Sequence, residues 1–304
     1  MLNIQQATAF IGGLAAVVVP AWAAEAQELE PRSYSPSPVG TNFVVAAYGQ
    51  SSGEVVFDAG APISDARADI NLATVAYSKV IDVGGHQTSV LVAVPYMWGD
   101  ATGDLREASR SISRSGVGDM RLKFSTMLIG GPALSRKEFA SRKPQPVVGV
   151  SLLAVAPTGE YMPDKLINIG ANRWAFKPEI GVSAPVGRWQ VDAYAGVWLY
   201  GDNDEFMGLG QERKPMGTFQ AHLSYTFKPG LWAAVNTTYY VGGETVVGGR
   251  ADANRQENAR IGGTVSVPVT PRQSLLFSYS QGALTRYGVN FTSFAVSWRA
   301  LWFD

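Results

Sequence analysis

Hydrophobic and polar residues alternate with period two along most of this chain, most clearly over residues 174–241. Successive side chains of a strand point to opposite faces. Phe219, Ala221, Leu223, Tyr225 and Phe227 therefore share one face, and Thr218, Gln220, His222, Ser224 and Thr226 the other. In the preceding piece Trp189, Val191, Ala193, Ala195, Val197 and Leu199 face one way, with Gln190, Asp192 and Tyr194 opposite. The connections alternate too. Residues 185–188 and 228–230 are tight turns, whereas 201–215 is a long polar loop. Long antiparallel strands with one apolar face, short turns at one end and long loops at the other form the pattern of a transmembrane β-barrel.

The same rhythm runs through the rest of the chain. Strands are expected at residues 41–48, 68–82, 86–98, 117–129 and 146–156, four more within 174–241, and then 258–267, 272–281 and 290–303. The turns at Gly84, Gly187, Pro229 and Pro271 fall at one end, and the loops after Tyr48, Trp98, Ala156, Gly201, Gly242 and Gly282 at the other. Residues 130–145 break the rhythm: they are long where a short turn is due, and SRKEFASRK suits one or two helical turns. Residues 99–116, rich in Ser, Arg and Asp, read as a loop. The expected fold is all-β, an antiparallel transmembrane barrel of about 12 strands, an even number as bacterial barrels require. Closure removes sheet edges that lipid leaves unsatisfied. Tyr96, Trp98, Trp174, Trp198, Tyr200, Tyr239 and Tyr240 near the long-loop ends, and Trp189, Phe227, Trp232 and Trp302 near the short turns, read as aromatic girdles at the two membrane interfaces.

Composition narrows the classes. The 304 residues carry 25 basic and 25 acidic side chains, so no charge excess points to nucleic acid as a partner. With no cysteine, disulfides, thiolate metal sites and thiol chemistry are excluded. Residues 7–24 form an uncharged apolar run ending in small residues, and Ala21-Trp22-Ala23 and Ala24-Glu25-Ala26 both fit a small-x-small cleavage site. No Lys or Arg precedes that run. The expected organisation is a signal peptide over residues 1–24, an extended Pro-rich lead-in over 25–40, and the barrel over 41–304. The compartment is then the Gram-negative outer membrane.

Several stretches resemble a known family. SRSGVGDMRLKF from Ser113, APTGEYMPDKLINIGANRWAFKPEIGVSAPVGRW from Ala156, AYAGVWLYGDNDEF from Ala193, LSYTFKPGLWAAVNTTYY from Leu223 and the final WFD look like the outer-membrane family of meta-pathway phenol-degradation proteins, also described simply as transporters. The resemblance covers residues 39–304. It implies a β-barrel near aromatic-degradation or uptake systems, and it brings no catalytic residues. Phe294, Val296, Trp298, Ala300 and Trp302 alternate to the end of the chain, as in strands that the barrel-assembly machinery recognises. The terminal residue is Asp304, where such strands commonly end in an aromatic.

With lipid outside and water inside, period two assigns a lumen-facing set: Arg121, Lys123, Lys177, Glu179, Gln190, Asp192, Tyr194, Gln220, His222, Asn236, Arg260 and Arg299. Mixed charges on a pore wall influence which solute passes. The alternative is that they fill a narrow barrel, with cation–carboxylate pairs replacing water. Residues 201–205 are acidic but lack the spacing of a calcium loop. His222-Leu223-Ser224 places a base and a hydroxyl on one strand, as in outer-membrane phospholipase A. Here, however, His222 shares the polar face, whereas a lipid hydrolase needs the outer one. The expected role is a channel passively admitting small solutes, the resemblance suggesting hydrophobic or aromatic ones. The alternatives are a plugged structural or adhesion barrel working through its outer loops, a lipid hydrolase, and a soluble periplasmic β-sandwich. The implied partners are outer-membrane lipid, the small-molecule solute and the assembly machinery, with no cofactor, no metal and no nucleic acid.

Overall fold

The computed structural model describes residues 29–56, 63–105 and 108–304; the expected signal peptide lies outside them. The strands are β1 (Thr41–Val56), β2 (Ile63–Val83), β3 (His86–Leu105), β4 (Ala108–Val117), β5 (Met120–Ile129), β6 (Val147–Ala156), β7 (Ala175–Val186), β8 (Trp189–Tyr200), β9 (Asn203–Phe206), β10 (Leu209–Arg213), β11 (Met216–Lys228), β12 (Leu231–Gly242), β13 (Thr245–Val247), β14 (Arg250–Ala251), β15 (Gln256–Thr270), β16 (Gln273–Leu284) and β17 (Gly288–Phe303). One short helix, α1 (Arg136–Ala140), precedes β6.

Twelve strands close the barrel, in the order β1, β2, β3, β5, β6, β7, β8, β11, β12, β15, β16, β17, with every neighbouring pair antiparallel. The seam is β1 on β17, in register from Thr41 opposite Phe303 to Val56 opposite Gly288. Two-residue turns join strands at the periplasmic end. Val83 pairs His86 across Gly84-Gly85, and Val186 pairs Trp189 across Gly187-Arg188. Gly187 takes a φ of 62°, the left-handed conformation that such hairpins demand and glycine adopts without penalty. The outer face is apolar and bare of protein contacts, with Val75, Val186, Val235 and Ile129 among its most exposed side chains, the surface that lipid covers.

The outer rim is taller and more structured than the sequence suggests. Residues 99–105 and 108–116 are not a loop: they form the upper part of β3 and nearly all of β4, paired from Tyr96–Val117 to Leu105–Ala108. Ser and Arg occupy both faces of this hairpin because it stands beyond the membrane, where neither face needs to be apolar. The polar loop over 201–215 is likewise a hairpin, and β9, β10, β13 and β14 make a separate four-stranded sheet above the barrel. The strand expected over 117–129 is two pieces, β4 and β5, parted by Gly118 and Asp119. Pro95 on β3 has no N–H to offer, and its carbonyl accepts from Gly118 N–H at 2.9 Å. Below the break β5 pairs with both β3 and β6; above it β4 pairs with β3 alone. The neighbouring loop fills that side. Asp119 accepts from the N–H groups of Gly159 and Ala171, each at 2.8 Å, and Thr158 Oγ accepts from Met120 N–H at 2.9 Å.

The irregular segment 130–145 runs as a strap under the periplasmic rim. Ala133 N–H donates to Gly85 O and Val39 N–H to Leu134 O, both at 2.9 Å. Its helix is set by a capping box between Ser135 and Glu138. Arg136 lies 4.6 Å from the centroid of the Phe303 ring, tying the strap to the last strand.

Candidate functional site

The lumen is occupied by the chain's own N-terminal segment. The stretch read as an extended lead-in turns, from Leu29 on, into the barrel. Its root is fixed at the rim, where Gly40 N–H donates to Val80 O at 2.9 Å and Ser37 N–H to Gln87 Oε1 at 2.8 Å. Residues 31–34 form a tight turn against the inner wall. Arg32 adopts a φ of 65°, which costs a non-glycine residue about 1 kcal/mol. Three anchors offset that cost: its N–H donates to Asp192 Oδ2 at 3.2 Å, its Nε to Ser224 Oγ at 2.9 Å, and its Nη2 to Thr226 Oγ1 at 2.7 Å. The guanidinium also lies 4.6 Å from the Trp232 ring centroid.

Tyr34 is the deepest anchor, with 1% of its surface exposed. Gly149 on β6 and Gly181 on β7 sit directly opposite each other and leave a hollow that the ring fills. Tyr194 packs edge-on at 5.1 Å between centroids, a contact worth about 0.5–1.5 kcal/mol beyond the area it buries. The Tyr34 hydroxyl donates to Glu179 Oε1 at 3.1 Å, and Ser151 Oγ lies 3.1 Å from it. Tyr194 Oη accepts from Ser33 N–H at 3.1 Å. Glu30 pairs with Lys123 at 2.8 Å, a second link between segment and wall.

The predicted lumen residues lie on the inner face. Lys177 and Glu179 form an ion pair at 3.0 Å with both side chains 2% exposed. Asp192 accepts from Ser183 Oγ at 2.5 Å and Gln190 Nε2 at 2.9 Å, as well as from Arg32. Gln220 Nε2 donates to Glu179 at 3.4 Å. His222 Nδ1 faces Asn236 Oδ1 at 2.9 Å, so that nitrogen donates, and Asn236 Nδ2 in turn donates to Thr264. Arg260 is buried on β15, whereas Arg299, on the inward parity of β17, remains open to water, and Arg121 is half-buried on β5. The polar set and the inserted segment together occupy the periplasmic half of the bore, with Arg299 left open to water.

The extracellular half is aromatic, and here the girdle assignment needs correcting. Trp198, Tyr200 and Tyr240 point into the barrel, not toward lipid: Trp198 and Tyr240 are 0% and 1% exposed and pack with Leu153, Val155, Ala175 and Met216. Trp198 and Tyr200 stack with centroids 6.1 Å apart, and Arg213 lies 4.4 Å from the Tyr200 ring. Trp232, also placed in a girdle, instead faces inward beneath Arg32. The signal was present in the strand parity, since Trp198 and Tyr200 share the face of Asp192 and Tyr194. The outward girdles consist of Tyr48, Tyr96 and Trp98 with Trp174 and Phe176 at the outer edge. At the inner edge they consist of Trp189, Tyr225 and Phe227 with Tyr77 and Trp302. Nothing in the sequence pattern distinguished Arg32, Tyr34, Gly149 or Gly181, because their role exists only once segment and wall meet.

Ser224 Oγ accepts from Arg32 and His222 is tied to Asn236, so the two do not form a nucleophile–base pair. Among the described residues no cluster of three or more His, Asp or Glu side chains is placed to hold a metal.

Comparisons agree with the fold. A family model described as "Putative MetA-pathway of phenol degradation" matches residues 40–300. No curated protein matches the chain significantly. Among solved structures, an outer-membrane channel from Pseudomonas putida F1 is similar, with 22% identity and a TM-score of 0.74 over 90% of this chain and 100% of that one. The β domain of the Bordetella autotransporter BrkA matches with a TM-score of 0.53 and 10% identity, over 86% of this chain and 100% of its own. The transport unit of the autotransporter AIDA-I from Escherichia coli matches with 0.52 and 8%, over 93% and 95%. The chain belongs to the phenol-degradation MetA-pathway family and is a closed, twelve-stranded antiparallel β-barrel of the outer membrane.

Proposed function

We propose that this protein is an outer-membrane channel for small hydrophobic or aromatic solutes, closed at rest by residues 29–40 and opened when that segment withdraws. The observation that carries the reading is the way the segment is held. Its anchors are one ring in a glycine-lined hollow, a few hydrogen bonds, those of Arg32 and of the Tyr34 hydroxyl engaging charged groups, and one ion pair, with no covalent tie and no continuous ladder to the wall. Each such contact is worth about 0.5–3 kcal/mol net of the water that replaces it, so withdrawal is a reversible conformational equilibrium. The family supports the solute class, and the aromatic outer bore with Trp198, Tyr200 and Tyr240 suits an apolar ring entering from outside. The mixed charges of the inner wall, Lys123, Lys177, Glu179 and Asp192 among them, would then set the selectivity of the open state.

The test is conductance in planar bilayers of the refolded mature protein beside a variant lacking residues 29–37. Rare openings in the first and stable steps in the second are expected. A silent variant that remains a heat-modifiable barrel would refute the channel and favour the plugged barrel acting through its outer loops. Uptake of phenol against glucose into proteoliposomes then checks the solute class.

A further inference from the structure

We infer that Arg260 is a carboxylate seat inside the bore, so that small aromatic acids are among the solutes this barrel takes. The inference rests on the channel reading above and deepens it. Arg260 lies on the inner face of β15 and is 3% exposed. Its Nη2 donates to three neutral acceptors: Phe291 O at 2.8 Å, Ser280 Oγ at 3.0 Å and Ser293 Oγ at 3.4 Å. Its Nε is buried and has no hydrogen-bond partner. Among the described residues no carboxylate pairs with it, although the other buried cation on the wall, Lys177, has Glu179 and the half-buried Lys123 has Glu30. A guanidinium stays charged at any relevant pH, and a buried charge without a counter-charge is costly. A site that keeps one is built to receive an anion.

The surroundings define which anion. Thr238 is opposite Arg260 across the β12–β15 ladder, and the next pair outward is Tyr240 with Asn258. Tyr240 belongs to the apolar cluster with Trp198 and Met216. Inward, the next lumen-facing pair is Asn236 with Gly262, where Leu29 of the inserted segment arrives: a β-carbon on Gly262 would lie 2.9 Å from Leu29 Cδ1. Arg260 thus stands between the aromatic outer bore and Leu29 of the inserted segment. Tyr240 and Arg260 are 1% and 3% exposed, so a benzoate-sized molecule entering from outside parts the cluster around Trp198 before its ring meets Tyr240 and its carboxylate meets Nε. The Ser280 and Ser293 hydroxyls rotate to donate to the second oxygen. A bare hydrocarbon has nothing to offer the guanidinium, and an aromatic alcohol offers only a neutral oxygen.

The experiment measures binding of benzoate and of benzyl alcohol to the full mature protein in detergent by isothermal titration, for wild type, Arg260→Gln and Arg260→Lys. Wild type is expected to bind benzoate, with affinity falling about tenfold or more in Arg260→Gln and less in Arg260→Lys, because a charge-assisted hydrogen bond is lost. Benzyl alcohol is expected to bind all three alike. Equal benzoate binding by wild type and Arg260→Gln overturns the inference, and so does a wild type that takes up benzyl alcohol but not benzoate. Neither outcome depends on conductance, so a failure here is distinct from a failure of the channel itself. Should the Gln variant not refold, Arg260→Lys carries the test, since its compact ammonium keeps the charge but loses the planar fork that binds a carboxylate.

Discussion

The Tyr34 ring occupies the space a side chain on Gly181 would need: a β-carbon built there would lie 2.2 Å from Tyr34 Cε2, and one on Gly149 2.3 Å from Cδ1. Ring and hollow are two halves of one contact, made by residues far apart in the chain. Gly149→Ala, whose β-carbon meets nothing but the Tyr34 ring within 3.0 Å, therefore forces the ring out while leaving β6 intact. The expected result is a raised open probability in planar bilayers with unchanged heat modifiability, and Tyr34→Ala should act in the same direction.

Arg32 is the second lever. Arg32→Ala removes the donors to Ser224 and Thr226 and the contact with Trp232, each worth about 0.5–1.5 kcal/mol. The closed-to-open ratio should fall about tenfold or more, read as open-time fraction. A variant as quiet as wild type would show that the segment is held elsewhere.

The Lys177–Glu179 pair tests whether the wall is built for charge. Both side chains are 2% exposed, so Lys177→Met leaves a buried carboxylate unpaired and should cost about 3–5 kcal/mol in urea unfolding. The double change Lys177→Met with Glu179→Leu should recover most of that loss. In a protein lacking residues 29–37, Lys177→Glu and Asp192→Lys should shift the reversal potential across a salt gradient in opposite senses.

Asp119 holds the wall where the strand ladder is interrupted. Asp119→Ala strips the acceptors from the Gly159 and Ala171 N–H groups and should expose residues 157–174 to limited proteolysis while the barrel survives. A digestion pattern identical to wild type would remove this role.

The strap under the mouth should respond to acid. The Ser135 hydroxyl and N–H hold the Glu138 carboxyl below its ordinary value of 4.5. A depressed value in the folded state stabilises the capping box at and above the ordinary pKa, and that stability is lost as pH falls through the folded value. Amide exchange across residues 133–142 should therefore quicken as pH drops below 4.5, after correction for intrinsic rates, and Glu138→Gln should flatten the response.

Period two along the chain specifies the barrel without reference to any contact. Lipid on one face and water on the other impose period two on every membrane-crossing strand, and short turns against long loops order the strands without any knowledge of contacts. Inward parity likewise marked Lys177, Glu179, Asp192 and Arg260. The pattern lost its meaning where that two-sided environment ends. Ser and Arg on both faces of β4 looked like a loop because the hairpin stands clear of the membrane. Trp198 and Tyr240 lie near strand ends, as girdle residues do, yet share the lumen face of Asp192 and Asn236. Contacts formed on barrel closure alone place residues 29–40 inside the lumen. Residues 29–40 carry no periodicity, and what seats them is a hollow made by Gly149 and Gly181 on neighbouring strands and a hydroxyl, a carboxylate and an indole on β11, β8 and β12. Such complementarity is a property of surfaces brought together by closure of the barrel, and no local pattern encodes it.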